Sequence, residues 1–354
     1  MIQNPLPEDR VLRAGPSADP PDAGKHPAVV EKADETAAQA VIAVGGDARQ
    51  ITVIRSLCAA GCRVAAVGLS GAAGLPAGVR LLRSLSAVDD FVLSSVPRGA
   101  GCILLLPLPV SRDGGTVFCP LDPEARVPFS DLEEAASRLP GVRVLGGCLP
   151  ETLADRLCAR LGSDRVTDYY TLEPLLLRNA RLTAEGAIMT AMEVTDTALI
   201  GSRAAVIGYG RIGQYLSRLL IALGVRVTVC ARRAESRAAA EGDGCGVLDL
   251  SRGREALTAL CRGYDVIYNT VPAPLFDAGL LDVIDPDTRL IDLASYPGGV
   301  GGPSCMRVIR APSLPGRYAP RTAGKIVAET VLSLIGKGAG SVPAQAEGKE
   351  VPAL

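Results

Sequence analysis

Three glycines with a particular spacing give the clearest chemical signal in the sequence. Gly208, Gly210 and Gly213 follow the apolar run Ala204–Ile207 and open a helical stretch. In such a unit the first glycine makes the turn, the second admits a pyrophosphate, and the third lets the helix pack on the strand. The alternative is a turn of the same shape that binds nothing. The residues predicted to hold a dinucleotide here are Gly208, Tyr209, Gly210, Arg211, Ile212 and Gly213.

The end of the next strand bears on which dinucleotide is bound. Domains specific for NAD place an Asp or Glu about 20 residues further on, where it binds the ribose 2′-hydroxyl. Here the strand ends in Cys230-Ala231-Arg232-Arg233, which contains no acid. Two guanidinium groups suit a 2′-phosphate, so Arg232 and Arg233 favour NADP, with NAD as the second possibility. The alternative is that these arginines begin the next helix in solvent.

Two later loops follow strands at the sheet edge where ligands of open α/β sheets bind. The first is Asn269–Pro272, and the second is Asp292–Ser295, which continues into Pro297-Gly298-Gly299. The glycines of the second loop could bring backbone close to the nicotinamide. The alternative for each loop is an ordinary connection between a strand and a helix. The cofactor-binding residues predicted from these loops are Thr270, Val271, Pro272, Asp292, Ala294 and Ser295.

An earlier strand ends in Gly45-Gly46-Asp47, which is similar to the glycine turn but differs at one decisive position. Asp47 stands where Gly210 stands in the other turn, and a carboxylate there repels a pyrophosphate. Asp47 can cap the following helix, because Asp side chains and negative charge are favoured at a helix N-terminus. The alternative is that Asp47, Arg49 and Gln50 face a cleft and touch substrate. This part of the chain is therefore predicted to bind no nucleotide.

Short apolar runs alternate with helical stretches, as expected for strands buried in a parallel sheet. Residues 41–69 also resemble residues 205–233, and 16 residues separate Gly45 from Gly61, as they separate Gly208 from Gly224. We therefore predict an α/β fold of two Rossmann-like, doubly wound parallel-sheet domains with a cleft between them. The predicted strands are Val41–Val44, Val64–Val67, Cys102–Leu106, Val142–Leu145, Ala204–Ile207, Val225–Val229, Val266–Tyr268 and Leu290–Leu293.

The chain divides into two predicted domains with a flexible segment at each end. Residues 1–36 form a proline-rich leader and residues 337–354 a tail. Residues 38–182 form an N-terminal Rossmann-like substrate domain, joined by a C-terminal helix at 322–336. Residues 183–320 form the NADP-binding Rossmann domain.

Two further segments could close on a small polar ligand. The segment Leu106–Ser111 ends a strand and is followed by Arg112. A helix predicted to start at Thr183 or Ala184 and to run to about Leu199 links the two domains and places Glu185 in its first turn. The alternative for Glu185 is a simple favourable charge near a helix N-terminus.

Composition excludes several classes of protein. Lys plus Arg is 37 and Asp plus Glu is 38, so no basic surface for nucleic acid or an anionic membrane is expected. No apolar run reaches the roughly 20 residues of a membrane span. The one histidine, His26, lies in the leader, which disfavours a histidine base, a Ser-His-Asp triad or a histidine metal site. None of the ten cysteines forms C-x-x-C, so we expect no metal site and a reducing, cytoplasmic environment.

Six segments in a fixed order carry a family resemblance: GGDARQ, LPLPVSRDG, GYGRIGQYLSRLLIALGVRVTVCARR, NTVPAPLFDAGLL, LIDLASYPGG and LPGRYAPRTAGKIVAETV. Over about residues 38–336 the chain resembles the dipicolinate synthase A family. The resemblance implies an NADP-dependent dehydrogenase subunit that forms dipicolinate (pyridine-2,6-dicarboxylate) from a dihydro- or 4-hydroxytetrahydro-dipicolinate precursor. It also implies a flavoprotein-like second subunit of dipicolinate synthase as partner and a place in the mother cell of a sporulating bacterium.

The implied substrate is a small dicarboxylate, which needs cationic or N–H partners and a proton acceptor. The predicted substrate-binding residues are Arg49, Gln50, Ser111, Arg112, Arg321 and Thr322. The predicted catalytic residues are Asp47, Glu185 and Lys325, with Tyr318 or water as alternatives. A homo-oligomer is possible. Two other functions compete: a different two-Rossmann oxidoreductase of the hydroxyacid or alanine dehydrogenase kind, and a nucleotide-binding subunit without catalysis.

Overall fold

Two parallel sheets of six strands each form the framework of the protein. The computed structural model describes residues 39–95, 101–295, 298–301 and 308–336. The predicted leader and tail lie outside these residues, and so does Pro297. The predicted fold class, two Rossmann-like α/β halves, is confirmed.

The first sheet has the strand order β3-β2-β1-β4-β5-β6, which is the doubly wound order. One face is covered by α2, α3 and α4, and the other by α1. All described strand pairs are parallel. The strands are β1 (Ala40–Val44), β2 (Arg63–Val67), β3 (Arg80–Leu82), β4 (Cys102–Leu105), β5 (Arg143–Gly146) and β6 (Val166–Asp168), and the helices are α1 (Ala48–Ala59), α2 (Val88–Ser95), α3 (Phe129–Arg138) and α4 (Glu151–Leu161).

The second sheet repeats the same order as β9-β8-β7-β10-β11-β12. Helices α6 and α7 cover one face, and α8 and α9 cover the other. The strands are β7 (Arg203–Ile207), β8 (Arg226–Ala231), β9 (Gly246–Asp249), β10 (Val266–Asn269), β11 (Arg289–Asp292) and β12 (Val308–Arg310), and the helices are α6 (Arg211–Ala222), α7 (Ala234–Gly242), α8 (Arg254–Leu260) and α9 (Ala278–Asp282).

The two glycine turns occupy equivalent places, as the internal similarity predicts. The Gly45 N–H donates to the carbonyl of Val67 at the end of β2, at 2.8 Å, and the Gly208 N–H donates to the carbonyl of Cys230 near the end of β8, at 2.9 Å. Both glycines have positive φ, 60° and 93°. This is the left-handed region in which a residue with a Cβ is strained.

Three helices lie outside this repeat: α5 (Glu173–Val194), α10 (Leu314–Tyr318) and α11 (Pro320–Gly336). Helix α11 crosses α1 closely, because a Cβ on Gly324 would lie 2.6 Å from the Arg49 carbonyl oxygen. Helix α5 packs against α10, since a Cβ on Gly186 would lie 2.8 Å from the Leu314 Cβ. The two helices that follow the second sheet therefore pack on earlier helices, α11 on α1 and α10 on α5.

The predicted start of the linking helix at Thr183 or Ala184 is wrong. Helix α5 begins ten residues earlier, at Glu173, with Pro174 in its first turn, and it ends at Val194. The Thr183 hydroxyl does not cap an end; it donates to the Asn179 carbonyl within the helix, at 2.9 Å. Glu185 is consequently an exposed mid-helix residue, and the predicted boundary between 182 and 183 falls inside one helix.

Among the described residues, no helix combines the length and the apolar character that a membrane span requires.

Candidate functional site

The turn after β7 is built so that glycine is needed at two of its three marked positions. A Cβ on Gly208 would collide with the Thr270 hydroxyl, and one on Gly213 would collide with the Gly208 carbonyl oxygen. Gly210 differs, because a Cβ there would meet no atom within 4 Å. The first and third glycines thus serve the packing of the protein itself, while the second faces open space of the kind a ligand needs.

The first turn of α6 has no side-chain cap. Gly210 is its N-cap residue, and it carries no side chain that could accept from the free N–H groups. In α1, by contrast, the Asp47 carboxylate accepts from the Arg49 N–H at 3.0 Å. Asp47 therefore caps α1 as predicted, and of the two equivalent glycine turns only the one in the second half opens a helix without a side-chain cap.

Tyr209 and Arg211, both predicted to hold the cofactor, have side chains engaged elsewhere. The Tyr209 ring is buried in the core, and its hydroxyl donates to the Asp243 carboxylate. That bond, together with Arg218, lowers the pKa of Asp243. Arg211 forms a two-point ion pair with Glu173 at the start of α5, and its Nε lies 2.8 Å from Oε1. Tyr209 thus contributes backbone to the turn, and Arg211 keeps its charge beside it.

Arg232 and Arg233 follow β8 directly and are both exposed. Within the described part of the chain, neither forms an ion pair. The acid at the end of the adjacent strand, Asp249, is occupied, because it accepts from Arg237 and from the Ser251 N–H, each at 2.9 Å. Two cations without partners therefore stand where a 2′-phosphate is expected.

Asn269 and Asp292 are paired at the ends of β10 and β11, and both are buried. The Asn269 amide donates to the Asp292 carboxylate at 2.8 Å, and the same carboxylate accepts from the Gly299 N–H at 2.9 Å. A Cβ on Gly299 would collide with the Asn269 amide. The Asp292 carboxylate therefore holds its loop in place and is not free to bind a ligand. Ala294 and Ser295 belong to the same loop.

The neighbouring loop at Thr270 is tied to the turn itself. The Thr270 hydroxyl donates to the Ile207 carbonyl at 2.8 Å, and the ring of Pro272 is exposed. A Cβ on Gly208 would also approach the Val271 side chain to 3.0 Å. The loop at Thr270 is thus in contact with the glycine turn, and the Asp292 loop is in contact with Asn269, which begins the first loop.

The first half places a buried ion pair at the equivalent turn. The Arg49 guanidinium grips the Asp47 carboxylate, with Nη2 2.7 Å from Oδ2 and Nε 2.9 Å from Oδ1. Nη2 also donates to the Leu108 carbonyl, and the group lies against Gly316 of α10. Nη1 has no partner among the described residues. The Arg49 side chain is thus fixed and buried, unlike that of a mobile surface arginine. Its Nη1 nitrogen remains able to donate a hydrogen bond to a ligand.

Gln50 is buried beside this pair, with the Cβ and Cγ of its side chain against Gly46. Its amide nitrogen has no hydrogen-bond partner among the described residues. A buried donor without a partner is costly, on the order of 1–3 kcal/mol. A ligand that accepts from this amide would relieve that cost, which keeps Gln50 a candidate for substrate contact.

Ser111 and Arg112 belong to a loop whose polar groups form hydrogen bonds mainly with one another. The Ser111 hydroxyl donates to Asp113 at 3.0 Å and accepts from the Gly114 N–H at 3.0 Å. Bonds from Thr116 and Gly115 hold the pKa of Asp113 far below its usual value. Arg112 stacks on the Phe118 ring, 4.2 Å from its centroid. The Ser111 hydroxyl therefore already makes its hydrogen bonds within the loop, whereas the Arg112 guanidinium is exposed.

The remaining predicted residues lie on helix surfaces. Glu185 of α5 and the three residues of α11, Arg321, Thr322 and Lys325, are exposed. No hydrogen bond or ion pair within the described ranges joins any of them to the turn at Gly208 or to the Asp47–Arg49 pair. The structure does not bring these four together with the other predicted residues.

Sequence reasoning missed a polar group that follows the edge strand β6. Asp168 ends this strand, and its carboxylate accepts from the N–H groups of Leu149, at 2.9 Å, and Tyr170, at 2.8 Å. Partial burial raises its pKa, against those bonds. Tyr170 sits between this strand and α5, near both Arg49 and Arg211. The short β6 gave no apolar run, so only the Asp-Tyr-Tyr sequence at 168–170 could have signalled it.

A groove of about 490 Å³ lies away from all these residues, at the opposite edge of the first sheet. It is formed where α1 ends and β2 and β3 begin, and its lining includes Cys58, Cys62 and Arg63. Burial raises the pKa of both thiols, which opposes thiolate chemistry at neutral pH. The volume of this groove is therefore not enough to make it the candidate site. We place the candidate site at the carboxyl ends of the strands instead.

Comparison with known proteins points in the same direction as the turn geometry. The sequence matches no family model. It is 26% identical over 299 residues to dipicolinate synthase A of Bacillus subtilis, a match that covers 83% of this chain and 95% of the relative. This chain is a relative of dipicolinate synthase A. The resemblance predicted from the six motifs is confirmed.

Solved structures agree with this relationship. The crystal structure of dipicolinate synthase A from Bacillus halodurans superposes with a TM-score of 0.71 at 29% identity, covering 84% of this chain and 97% of that one. The corresponding structure from Bacillus subtilis gives 0.69 at 25% identity, covering 84% and 96%. A transhydrogenase from Sinorhizobium meliloti shares the fold alone, with a TM-score of 0.57 at 17% identity and coverage of 84% and 93%.

Alanine substitutions at two glycines of one turn should separate packing from ligand binding. Gly213→Ala should destabilise the protein by about 1–3 kcal/mol, because its Cβ collides with fixed backbone. Gly210→Ala should leave the stability nearly unchanged and weaken dinucleotide binding, because it fills only the open space. Urea unfolding and calorimetric titration with NADP measure the two effects. Normal NADP binding by Gly210→Ala would show that the phosphates lie elsewhere.

The main effect of removing the Asp47 side chain should be a loss of stability and not a loss of catalysis. Asp47→Ala removes a helix cap and leaves Arg49 buried without its anion, so we expect a loss of about 2–4 kcal/mol in the free energy of unfolding. The double variant Asp47→Ala/Arg49→Leu should recover part of this loss, because no buried charge is left unpaired. Unchanged stability of Asp47→Ala together with lost turnover would instead assign Asp47 a catalytic role.

Proposed function

We propose that the protein is an NADP-dependent dehydrogenase subunit that forms pyridine-2,6-dicarboxylate from a dihydro- or 4-hydroxytetrahydro-dipicolinate precursor. Its relationship to dipicolinate synthase A and its two Rossmann-like halves support an oxidoreductase of the nicotinamide-dependent kind. The observation that carries the proposal is the uncapped first turn of α6 above Gly210, which fits the diphosphate of a dinucleotide.

The choice of NADP rests on Arg232 and Arg233. Both are free of ion pairs in the described part of the chain, and the neighbouring acid Asp249 is held by Arg237. NAD is the second candidate, since its ribose hydroxyl could also lie at the end of β8. The loops that begin at Thr270 and Ala294 would then flank the nicotinamide end, held in place by the buried Asn269–Asp292 pair.

Oxidation of a dihydro ring removes a hydride from one carbon and a proton from its neighbour; a 4-hydroxytetrahydro ring must in addition lose its 4-hydroxyl group and a proton as water. The nicotinamide accepts the hydride when it is bound. Formation of the aromatic ring drives the step, so the main task of the protein is to hold the ring carbon about 3–3.5 Å from its acceptor. The unspent Nη1 of Arg49 and the buried Gln50 amide are the donors with which the first half would hold a carboxylate.

The wider setting belongs to the same proposal. The substrate domain spans about 38–182 with the helix at 322–336, and the NADP domain spans about 183–320, with α5 running across the boundary between them. A flavoprotein-like second subunit accompanies the chain, which can itself form a homo-oligomer, in the cytoplasm of the mother cell during sporulation. Catalytic roles for Glu185 and Lys325 have no support from geometry, and the proton acceptor we favour is water near the Asp47–Arg49 pair.

Turnover by the purified chain tests the proposal directly. With the ring precursor, NADP and the flavoprotein-like second subunit, we expect reduced nicotinamide and pyridine-2,6-dicarboxylate to form in equal amounts, measured by absorbance and chromatography. Gly210→Ala is the matched control and should not turn over. NADP binding without any product, even with the second subunit present, would favour the non-catalytic nucleotide-binding alternative.

The arginine pair after β8 should set the choice of cofactor. Arg232→Ala/Arg233→Ala should weaken NADP binding by about 100-fold or more, because two charged hydrogen bonds, each worth roughly 1.5–3 kcal/mol, are lost, and should leave NAD binding unchanged. Arg262→Ala, an exposed arginine at the opposite edge of the same sheet, is the control. An unchanged ratio of the NADP and NAD dissociation constants in the double variant would contradict this assignment.

A further inference from the structure

Tyr170 occupies the junction between the two halves of the molecule. It lies in a single 3₁₀ turn, Tyr169–Thr171, which follows β6 and leads into α5. Its N–H donates to Asp168 at 2.8 Å, which fixes the turn to the carboxyl edge of the first sheet. The next helix begins at Glu173, whose carboxylate pairs with Arg211 beside the glycine turn. Tyr170 is thus placed between the substrate side and the cofactor side.

The hydroxyl of Tyr170 has a donor but no acceptor. The Asn179 amide donates to it at 2.9 Å, and within the described ranges no protein atom accepts its own proton. The residue is half-buried, and its ring packs against the core shared by α1 and α11. The oriented O–H group is therefore available to a ligand.

Two arginines act electrostatically on this hydroxyl, and each is also paired with a carboxylate, Arg49 with Asp47 and Arg211 with Glu173. Arg49 from the first half and Arg211 from the second both lie close enough to act on it. Partial burial and the neighbouring Cys148 nevertheless raise the pKa of Tyr170 to about 12. The group therefore remains protonated at neutral pH and serves as a donor, not as a general base. A neutral donor, together with the Arg49 Nη1 that has no partner among the described residues, suits a carboxylate.

We propose that the Tyr170 hydroxyl, oriented by Asn179, donates a hydrogen bond to one carboxylate of the dicarboxylic substrate, beside Nη1 of Arg49. This inference rests on the proposed function and adds to it a specificity-determining residue that touches the substrate. Asn179 is a positioning residue, because it acts through Tyr170. The Tyr170 hydroxyl and the Arg49 Nη1 would together bind the carboxylate at one end of the ring.

The test is titration of pyridine-2,6-dicarboxylate into the full chain saturated with NADP. Tyr170→Phe keeps the ring and removes only the donor, so its dissociation constant for the diacid should rise about 10-fold or more. Asn179→Leu should raise it less, and the double variant should be no weaker than Tyr170→Phe, because the amide acts through the hydroxyl. NADP affinity and unfolding midpoints should stay at their wild-type values.

A matched control and two adverse outcomes make the test decisive. Tyr264→Phe removes a hydroxyl at the opposite edge of the second sheet, just before β10, and should bind the diacid as the wild type does. Equal diacid binding by Tyr170→Phe and a wild type that turns over would overturn the role of Tyr170 and leave the proposed function standing. A wild type that binds NADP but neither binds the diacid nor forms it would overturn both.

Discussion

The open N-terminus of α6 is the feature on which the rest of the site depends. A helix leaves its first N–H groups without partners inside the helix, and elsewhere a side chain or water must satisfy them. Gly210 has no side chain that could do so, and no atom of the described residues lies within 4 Å of the place where its Cβ would be. The loop at Thr270 is bonded to the strand that leads into this turn, and the loop at Asp292 is bonded to Asn269 beside it, so the proposed position of a dinucleotide depends on this one backbone arrangement.

The equivalent turn in the first half shows how one substitution redirects a shared architecture. Asp47 supplies from within the protein the negative charge that a diphosphate would bring to the other turn. Having an acid there requires a cation, and Arg49 provides it while also reaching the Leu108 carbonyl and α10. The same two residues therefore form a fixed ion pair at the place where the other turn leaves a helix N-terminus open.

The segments outside the repeat bring these two turns together. Helix α5 carries Glu173 to Arg211 at one turn, and the 3₁₀ turn before it carries Tyr170 towards Arg49 at the other. Helices α10 and α11 close the arrangement by packing against Arg49 and α1. The two turns are thus joined through packed helices.

The sequence by itself determined the interior strands, the glycine turn, the repeat and the family relationship. These features depend on local patterns: fully buried strands give continuous apolar runs, and a tight turn demands glycine at fixed offsets. The edge strands β3, β6, β9 and β12 escaped prediction because each is short and partly exposed, so no apolar run marks it. The start of α5 escaped because Thr183, which suits a cap, bonds back along the helix instead.

Only the tertiary structure decided which polar residues are free to act. Asp292 and Tyr209 are bound by partners distant in sequence, and Ser111 is bound within its own loop. Among the described residues, no ion pair engages Arg232 and no acceptor takes the proton of the Tyr170 hydroxyl. A side chain's type states what it can bind, but its availability depends on every neighbour that competes for its hydrogen bonds. Those neighbours come from remote segments, and no local pattern encodes them.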